Sequence, residues 1–416
     1  MNKEFFMKNR KRLSEKLEDN SIMVIFAGRA PYKSADETYP FTPNRNFYYL
    51  TGIDRENIIL VMTKRNNNVN EILFIEEEDP VMARWVGEKL KASEAIEISG
   101  VQNVDYTKGF NDFIGELVSR YGYDKLYLDL ERQEWGISYT YAQNFAKEVK
   151  ERYSYFNIKN IYNEISELRT VKTVEEIEKI KTAIGITKRG IYEMMKHAKP
   201  GMMEYEIEAY FDYVLTSEGV RDKAFKTIAA SGKNATVLHY SENNSKCGDN
   251  DLIMFDLGAQ YQYYNGDITR TFPVSGKFTE RQKEVYNVVL RANERIIKEA
   301  KAGVPYLKLN EIAKDVLAEG CIELGLMKDK SEISKYYFHS ISHSLGLDTH
   351  DVGDRDIVLK PGMVITNEPG LYIPEEGIGI RIEDDLLITE DGCINLSSDI
   401  IKTVDEIEKF MKDNRI

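Results

Sequence analysis

Four carboxylates lie in stretches whose neighbours would ordinarily reject a charge. Asp256 sits in LIMFDLGA, Asp267 in YNGDITRTF, Glu368 in VITNEPGLY and Glu383 in GIGIRIEDD. An ionised carboxylate among apolar residues is costly unless it is paired or bound to a metal. Asp256 and Asp267 are eleven residues apart, a spacing that a hairpin can fold face to face. The chain has only five histidines, His197, His239, His339, His343 and His350, and three of them fall within twelve residues. Four carboxylates with an imidazole form an oxygen-rich, moderately hard donor set. That set suits Mn2+, Mg2+, Co2+ or Fe2+ better than a structural zinc site, although Zn2+ also fits. Five ligands, some bridging, are too many for one ion and natural for two held about 3.5–4 Å apart. His197 precedes a helix-ending Lys-Pro-Gly and is assigned to that helix end, with no function.

The elements that must position these groups fall into two regions. Ser21–Ala27, Asn57–Thr63, Glu71–Ile75 and Lys125–Asp129 read as buried strands, and Pro80–Leu90 and Gly109–Tyr121 as helices. This alternation predicts an α/β layer of about 150 residues. No GxGxxG follows a strand and no GxxxxGK[ST] occurs, so nothing indicates nucleotide binding. A boundary fits Ile165–Thr173. Thr173 and Glu176 then form a capping box opening a long helix to about Lys199. Further helices are expected at about Glu204–Glu218, Glu280–Ala300 and Leu307–Leu324, with strands from Thr227 and again from Lys335. The second region is therefore α+β. Within it Leu252–Ala259 and Tyr264–Val274 read as two strands joined by a short turn, each with an Asp. Met363–Ile373 and Gly379–Thr389 read the same way, each with a Glu, as in a duplicated unit.

Composition narrows the class. Across 416 residues the net charge is −13, which argues against binding a phosphate backbone. Cys247, Cys321 and Cys393 are odd in number and far apart, so they read as reduced thiols in a reducing compartment. The first twenty residues lack an apolar signal-peptide core. No apolar run approaches the roughly 18–20 residues needed to cross a bilayer. A cytoplasmic protein without nucleic-acid or membrane partners is expected.

Five segments, LHYSENN, FDLGAQYQYYNGDITRTFPVSGKF, HSISHSLGLDTHDVG, LKPGMVITNEPGLYI and GIGIRIEDDLLIT, together resemble the pita-bread metallopeptidases. That family includes methionine aminopeptidase, prolidase and the Xaa-Pro aminopeptidases. SADETYPFTPNRNFYYLTG is similar to the first domain of the last group, so the likeness spans nearly the whole chain. The resemblance implies an N-terminal α/β domain over 1–168, serving oligomerisation or substrate access, and a pita-bread α+β catalytic domain over 169–416. It implies Asp256, Asp267, His343, Glu368 and Glu383 as ligands of two divalent ions, with Mn2+ expected and Co2+, Fe2+ or Zn2+ as alternatives. His239, His339 and His350 match non-ligand active-site histidines, and Tyr372 and Arg381 match residues that support the site. Arg381 and Glu383 are two apart on an expected strand, so both would face the cavity.

The activity so implied is metal-assisted hydrolysis of the bond between an N-terminal residue and a penultimate proline. Glu368 would shuttle the proton, His350 and His239 would stabilise the oxyanion or orient the scissile bond, and His339 would line the proline pocket. Prolidase, confined to Xaa-Pro dipeptides, is the nearest alternative. Methionine aminopeptidase and a creatinase-like or binding protein on the same fold stand further off. Ser340 and Ser344 and the short connections from His350 to Glu368 and on to Glu383 depart from the family pattern. They leave peptide-length preference open. The resemblance further implies a homodimer or homotetramer, with Trp85 either reaching across an interface or simply packed.

Overall fold

The computed structural model describes residues 1–131, 135–220, 222–353 and 356–416. The chain divides into two compact units, Met1–Leu168 and Arg169–Ile416.

The first unit is a six-stranded mixed sheet. Its strands are β1 (Ser21–Phe26), β2 (Ile59–Arg65), β3 (Asn68–Ile75), β4 (Asn103–Tyr106), β5 (Lys125–Leu128) and β6 (Asn157–Asn160), in spatial order β4-β3-β2-β1-β5-β6. β1 lies at the centre, antiparallel to β2 and parallel to β5. A strand buried on both faces reads as a continuous apolar run, as SIMVIF does. Ile22, Val24, Phe74 and Leu126 pack with Phe110 and Ile114 from α1 (Phe110–Ser119) and with Phe145 from α2 (Tyr141–Arg152). The helix expected at Pro80–Leu90 shrinks to Ala83–Val86. Val81, Met82, Trp85 and Val86 are all exposed, so no buried face sustains a longer helix, and Gly87 at φ 86° ends it.

The second unit opens with α3 (Val174–His197), capped as expected: Thr173 N–H donates to Glu176 at 2.8 Å. α4 (Glu204–Ser217) packs on it where Gly190 admits Phe211, whose ring would lie 2.2 Å from any Cβ at 190. His197 ends α3 and stacks on Tyr210 with centroids 4.0 Å apart. β7 (Ile228–Ser231), β8 (Leu252–Leu257) and β9 (Ile268–Pro273) form one sheet in the order β9-β8-β7, with Asp256 opposite Thr269. β8 and β9 are joined through the short turn expected, but the chain around it pairs separately from their sheet. Gln260–Tyr261 and Tyr264–Asn265 form a separate small hairpin between them, turned at Gln262 and Tyr263, which both hold positive φ. Gly258 comes so close to the Gly266 carbonyl that a Cβ would lie 1.8 Å from its oxygen.

After α5 (Glu280–Glu299) and α6 (Tyr306–Glu323) the described residues form no further strand or helix before Val364, apart from a short 3-10 turn at Lys330–Lys335. Strands therefore do not resume at Lys335. The histidine-bearing segment runs along the next strand only briefly, through Leu345 N–H to Val364 O and Thr366 N–H to His343 O. The two long strands expected beyond it are each broken in two. β10 (Val364–Asn367) pairs with β13 (Asp384–Ile388), and β11 (Gly370–Ile373) with β12 (Ile378–Arg381). Pro369 has no N–H to give a ladder, while Glu368 N–H donates to Ile341 O and Glu383 N–H to Thr269 O. Glu368 and Glu383 thus occupy the breaks rather than strand interiors. β14 (Cys393–Asn395) extends the β10–β13 sheet, and α7 (Val404–Asn414) closes the chain. No helix among the described residues is long and apolar enough to cross a membrane.

Candidate metal centre

The structure brings the predicted ligand residues of the second unit into one buried cluster. Asp267 stands just before β9, Glu383 just before β13, and His343 in the irregular segment. Each offers a donor atom within 4.8 Å of the others. His343 Nε2 lies 3.3 Å from Asp267 Oδ2 and 3.7 Å from Glu368 Oε1. Asp256, on β8, joins through Arg381, whose Nη2 lies 2.5 Å from its Oδ2. Although their strand is broken, Arg381 and Glu383 still converge. Arg381 Nε donates to the Thr269 hydroxyl at 3.0 Å, and that hydroxyl donates to Glu383 Oε2 at 2.7 Å.

The Nδ1 hydrogens of two histidines follow from their partners. His343 Nδ1 lies 3.1 Å from the Ser344 carbonyl and His339 Nδ1 lies 2.8 Å from the Ser340 carbonyl. A carbonyl only accepts, so in each ring Nδ1 carries a hydrogen and Nε2 is the nitrogen turned toward the cluster. For His339, Nε2 accepts from the Tyr372 hydroxyl at 2.9 Å, which itself accepts from Arg381 Nη1 at 3.0 Å. Burial, with the Arg381 charge, pushes His339 down to about 3, so its ring stays neutral. Burial pushes Tyr372 up to about 12, keeping its hydroxyl protonated. His350 sits at the exposed edge, its ring 4.3 Å from that of His343. His239 is exposed on the loop after the 3-10 turn Gly232–Thr236, near enough to help lower His339.

The residues present fit a metal. His343 turns Nε2 toward two carboxylates while its Nδ1 bonds a backbone carbonyl, the arrangement of a metal-ligating histidine. Burial, then the charges of Asp256, Asp385 and Glu368, hold Asp267 well above the usual carboxylate range. Burial, then Asp267, Glu368 and Asp256, do the same to Glu383, and burial raises Glu368. Asp256 Oδ1 is buried without a hydrogen-bond partner among the described residues. A divalent cation would reverse each of these penalties. With carboxylates and one imidazole as donors, such a centre can polarise a carbonyl and activate water.

Sequence reasoning missed the supporting groups. Thr366 accepts from His343 N–H at 3.0 Å and its hydroxyl lies 3.4 Å from Glu368 Oε1, as Thr269 serves Glu383. Each threonine is two residues from a carboxylate (Asp267 or Glu368), the same-face interval of a strand, and that was the available signal. Asp385 Oδ2 accepts the Asp267 N–H at 3.1 Å. Arg270 donates to the Glu383 carbonyl at 2.6 Å and to Asp384 at 2.8 Å, fixing the backbone beside the ligand. No pattern marks Asp385 or Arg270 apart from other charged strand residues.

Comparison with known proteins places this geometry. Residues 178–390 match the model of metallopeptidase family M24, and residues 6–127 match the aminopeptidase P N-terminal domain. The chain is 34% identical to the Xaa-Pro aminopeptidase of Escherichia coli, covering 98% of this chain and 97% of that protein. It is 30% identical to human Xaa-Pro aminopeptidase 3, over 94% and 81%. A solved candidate aminopeptidase P from Bacillus anthracis superposes with a TM-score of 0.99 at 54% identity over 100% of both chains. The E. coli aminopeptidase P solved with the inhibitor Pro-Leu superposes with a TM-score of 0.92 at 33% identity, over 100% of this chain and 99% of that one. With one match spanning more than half its residues and these relatives aligned almost end to end, the chain belongs to metallopeptidase family M24, its pita-bread unit preceded by an aminopeptidase P N-terminal domain.

Proposed function

We propose that this metal-dependent aminopeptidase holds two divalent ions, Mn2+ being the expected metal, and releases the first residue of peptides whose second residue is proline. The observation that carries the reading is His343 Nε2 set 3.3 Å from Asp267 and 3.7 Å from Glu368, with Nδ1 on a backbone carbonyl, a donor cluster that makes sense around cations. Asp256, Asp267, His343, Glu368 and Glu383 would hold them. When bound, they would supply Lewis-acid polarisation of the scissile carbonyl and a water acidic enough to attack at neutral pH.

The remaining work falls to the chain itself. Glu368 would take the proton from the attacking water and pass it to the proline nitrogen, which leaves as an amine. His350 and His239, both at the exposed edge, would hydrogen-bond the developing oxyanion or the scissile carbonyl. His339, held neutral by burial and Arg381, would line the pocket for the proline ring rather than move protons. The Arg381–Tyr372–His339 chain of hydrogen bonds would keep that wall in place. The Xaa-Pro aminopeptidases and aminopeptidase P among its relatives support action beyond dipeptides, and a dipeptide-only prolidase is not favoured. A cytoplasmic homodimer or homotetramer is inferred from the reduced cysteines and from Trp85, which is 80% exposed. Light scattering would test its subunit number.

The activity test strips the protein with chelator and restores Mn2+, Co2+ or Zn2+ before assay on Arg-Pro-Pro, Gly-Pro and Arg-Ala-Ala. Metal-restored release of Arg from Arg-Pro-Pro, with Arg-Ala-Ala spared, is expected. Cleavage of Gly-Pro alone would replace the reading with prolidase. No cleavage by fully metallated protein would remove the peptidase assignment.

A further inference from the structure

We propose that Asp351, a buried carboxylate clamped by Arg169 and Lys172, is a positioning residue that sets the aim of His343 and the seat of His350. The inference rests on the reading of His343 as a metal ligand. The Asp351 side chain is 1% exposed. Its Oδ1 lies 2.5 Å from Arg169 Nη2 and its Oδ2 2.9 Å from Lys172 Nζ, on cations that are themselves 3% and 1% exposed. Three buried charges next to an active-site histidine are expensive as mere stabilisation, since an apolar cluster would serve as well. They are well suited to holding a backbone in one place.

The backbone they hold is that of the histidine loop. Asp351 N–H donates to the Ser344 carbonyl at 2.9 Å. The same carbonyl receives the His343 Nδ1 hydrogen at 3.1 Å. The oxygen that holds the His343 ring is therefore itself fixed by Asp351, whose chain neighbour His350 places its ring 4.3 Å from that of His343. Gly346 lets the clamp close, since a Cβ there would lie 2.2 Å from Asp351 Oδ2 and 2.9 Å from Lys172 Cε. The Gly346 carbonyl accepts from Asn265 N–H and Nδ2 at 3.0 and 3.1 Å, which ties the loop to the approach of Asp267. Lys172 is anchored in turn, its N–H donating to Gly362 O at 2.8 Å.

The test measures Co2+ binding to metal-stripped protein through the visible absorption of the bound ion. It compares the parent with D351N, with the double variant D351N/K172M, and with L317A, a core truncation in α6. Leu317 is fully buried there. The double variant removes the unpaired buried ammonium that D351N leaves, so it carries the test if D351N folds poorly. Outer partners of metal ligands typically contribute 10–100-fold in affinity. The Asp351 variants are expected to bind Co2+ that much more weakly, with an altered band, while L317A loses thermal stability and keeps parental affinity and spectrum. Parental Co2+ affinity and spectrum in the Asp351 variants would overturn the positioning role and leave the metal reading standing. A parent that binds no Co2+ would overturn the metal reading, and this inference with it.

Discussion

Arg381 grips Asp256 from the far side of the cluster, its Nη2 lying 2.5 Å from Oδ2. Its Nη1 and Nε meanwhile hold the Tyr372 and Thr269 hydroxyls at 3.0 Å each. One guanidinium therefore orients a candidate ligand, the wall around His339 and the threonine that serves Glu383. Burial opposes its charge, yet Tyr372, Asp256 and Glu383 keep it firmly protonated.

A lysine keeps that charge but cannot span three acceptors in a fixed fork. We expect R381K to lose about 10–100-fold in kcat/KM, the range for outer-shell substitutions, and Y372F to lose less. Steady-state kinetics on a proline-containing tripeptide check this, and parental kinetics for R381K would contradict it.

Metal removal should expose the mutual repulsion of the carboxylates. In chelated protein, D267N should be more stable than the parent by about 1–4 kcal/mol, as when buried charges are replaced by neutral groups. Added Mn2+ should raise the melting temperature of the parent and not that of the variant. Thermal unfolding with and without Mn2+ settles the matter. A chelated D267N less stable than the chelated parent would show that Asp267 is not strained by its neighbours.

Glu204, fully buried at the start of α4, holds the loop that carries His239. Its two oxygens accept from Ser231 N–H and Oγ, Asn234, Tyr240 and Ser245 N–H at 2.7–3.0 Å. E204Q turns one acceptor oxygen into a donor that faces other donors, at a cost of about 1–3 kcal/mol in stability. We expect kcat to fall with Mn2+ affinity unchanged, because the loop supplies no candidate ligand. Calorimetric titration beside kinetics separates the two, and a matching loss of metal affinity would count against the assignment.

Asp351 gives the acid dependence. Burial opposes its ionisation, but Lys172 and Arg169 hold its carboxyl below the ordinary value. Such a group stabilises fully above its unfolded pKa of about 3.9 and loses that contribution as pH falls through the lower folded value. Removing one partner of a buried pair costs about 3–5 kcal/mol. The deficit of D351N in urea unfolding should be constant from about pH 8 to 5 and shrink below about pH 4. A deficit already shrinking between pH 8 and 6 would mean that Asp351 is not held ionised by its cations.

The sequence alone determined the types of chemistry and the main helices. Carboxylates inside apolar runs and three clustered histidines are visible without coordinates, because burying such groups is costly wherever the chain goes. The capping box at Thr173 and Glu176 marked the start of α3 for a local reason, a hydrogen-bond pair three residues apart. Non-local facts lay beyond it. Glu368 and Glu383 read as strand residues, yet their N–H groups bond to Ile341 and Thr269, partners 27 and 114 residues away (368 − 341 and 383 − 269). Pro80–Leu90 read as a helix, yet with Val81, Trp85 and Val86 exposed it has no face to bury. Only tertiary structure decides which nitrogen of His343 faces the carboxylates, which cation reaches Asp256 and which carboxylate settles between Arg169 and Lys172. Each is set by the meeting of segments that no spacing rule connects.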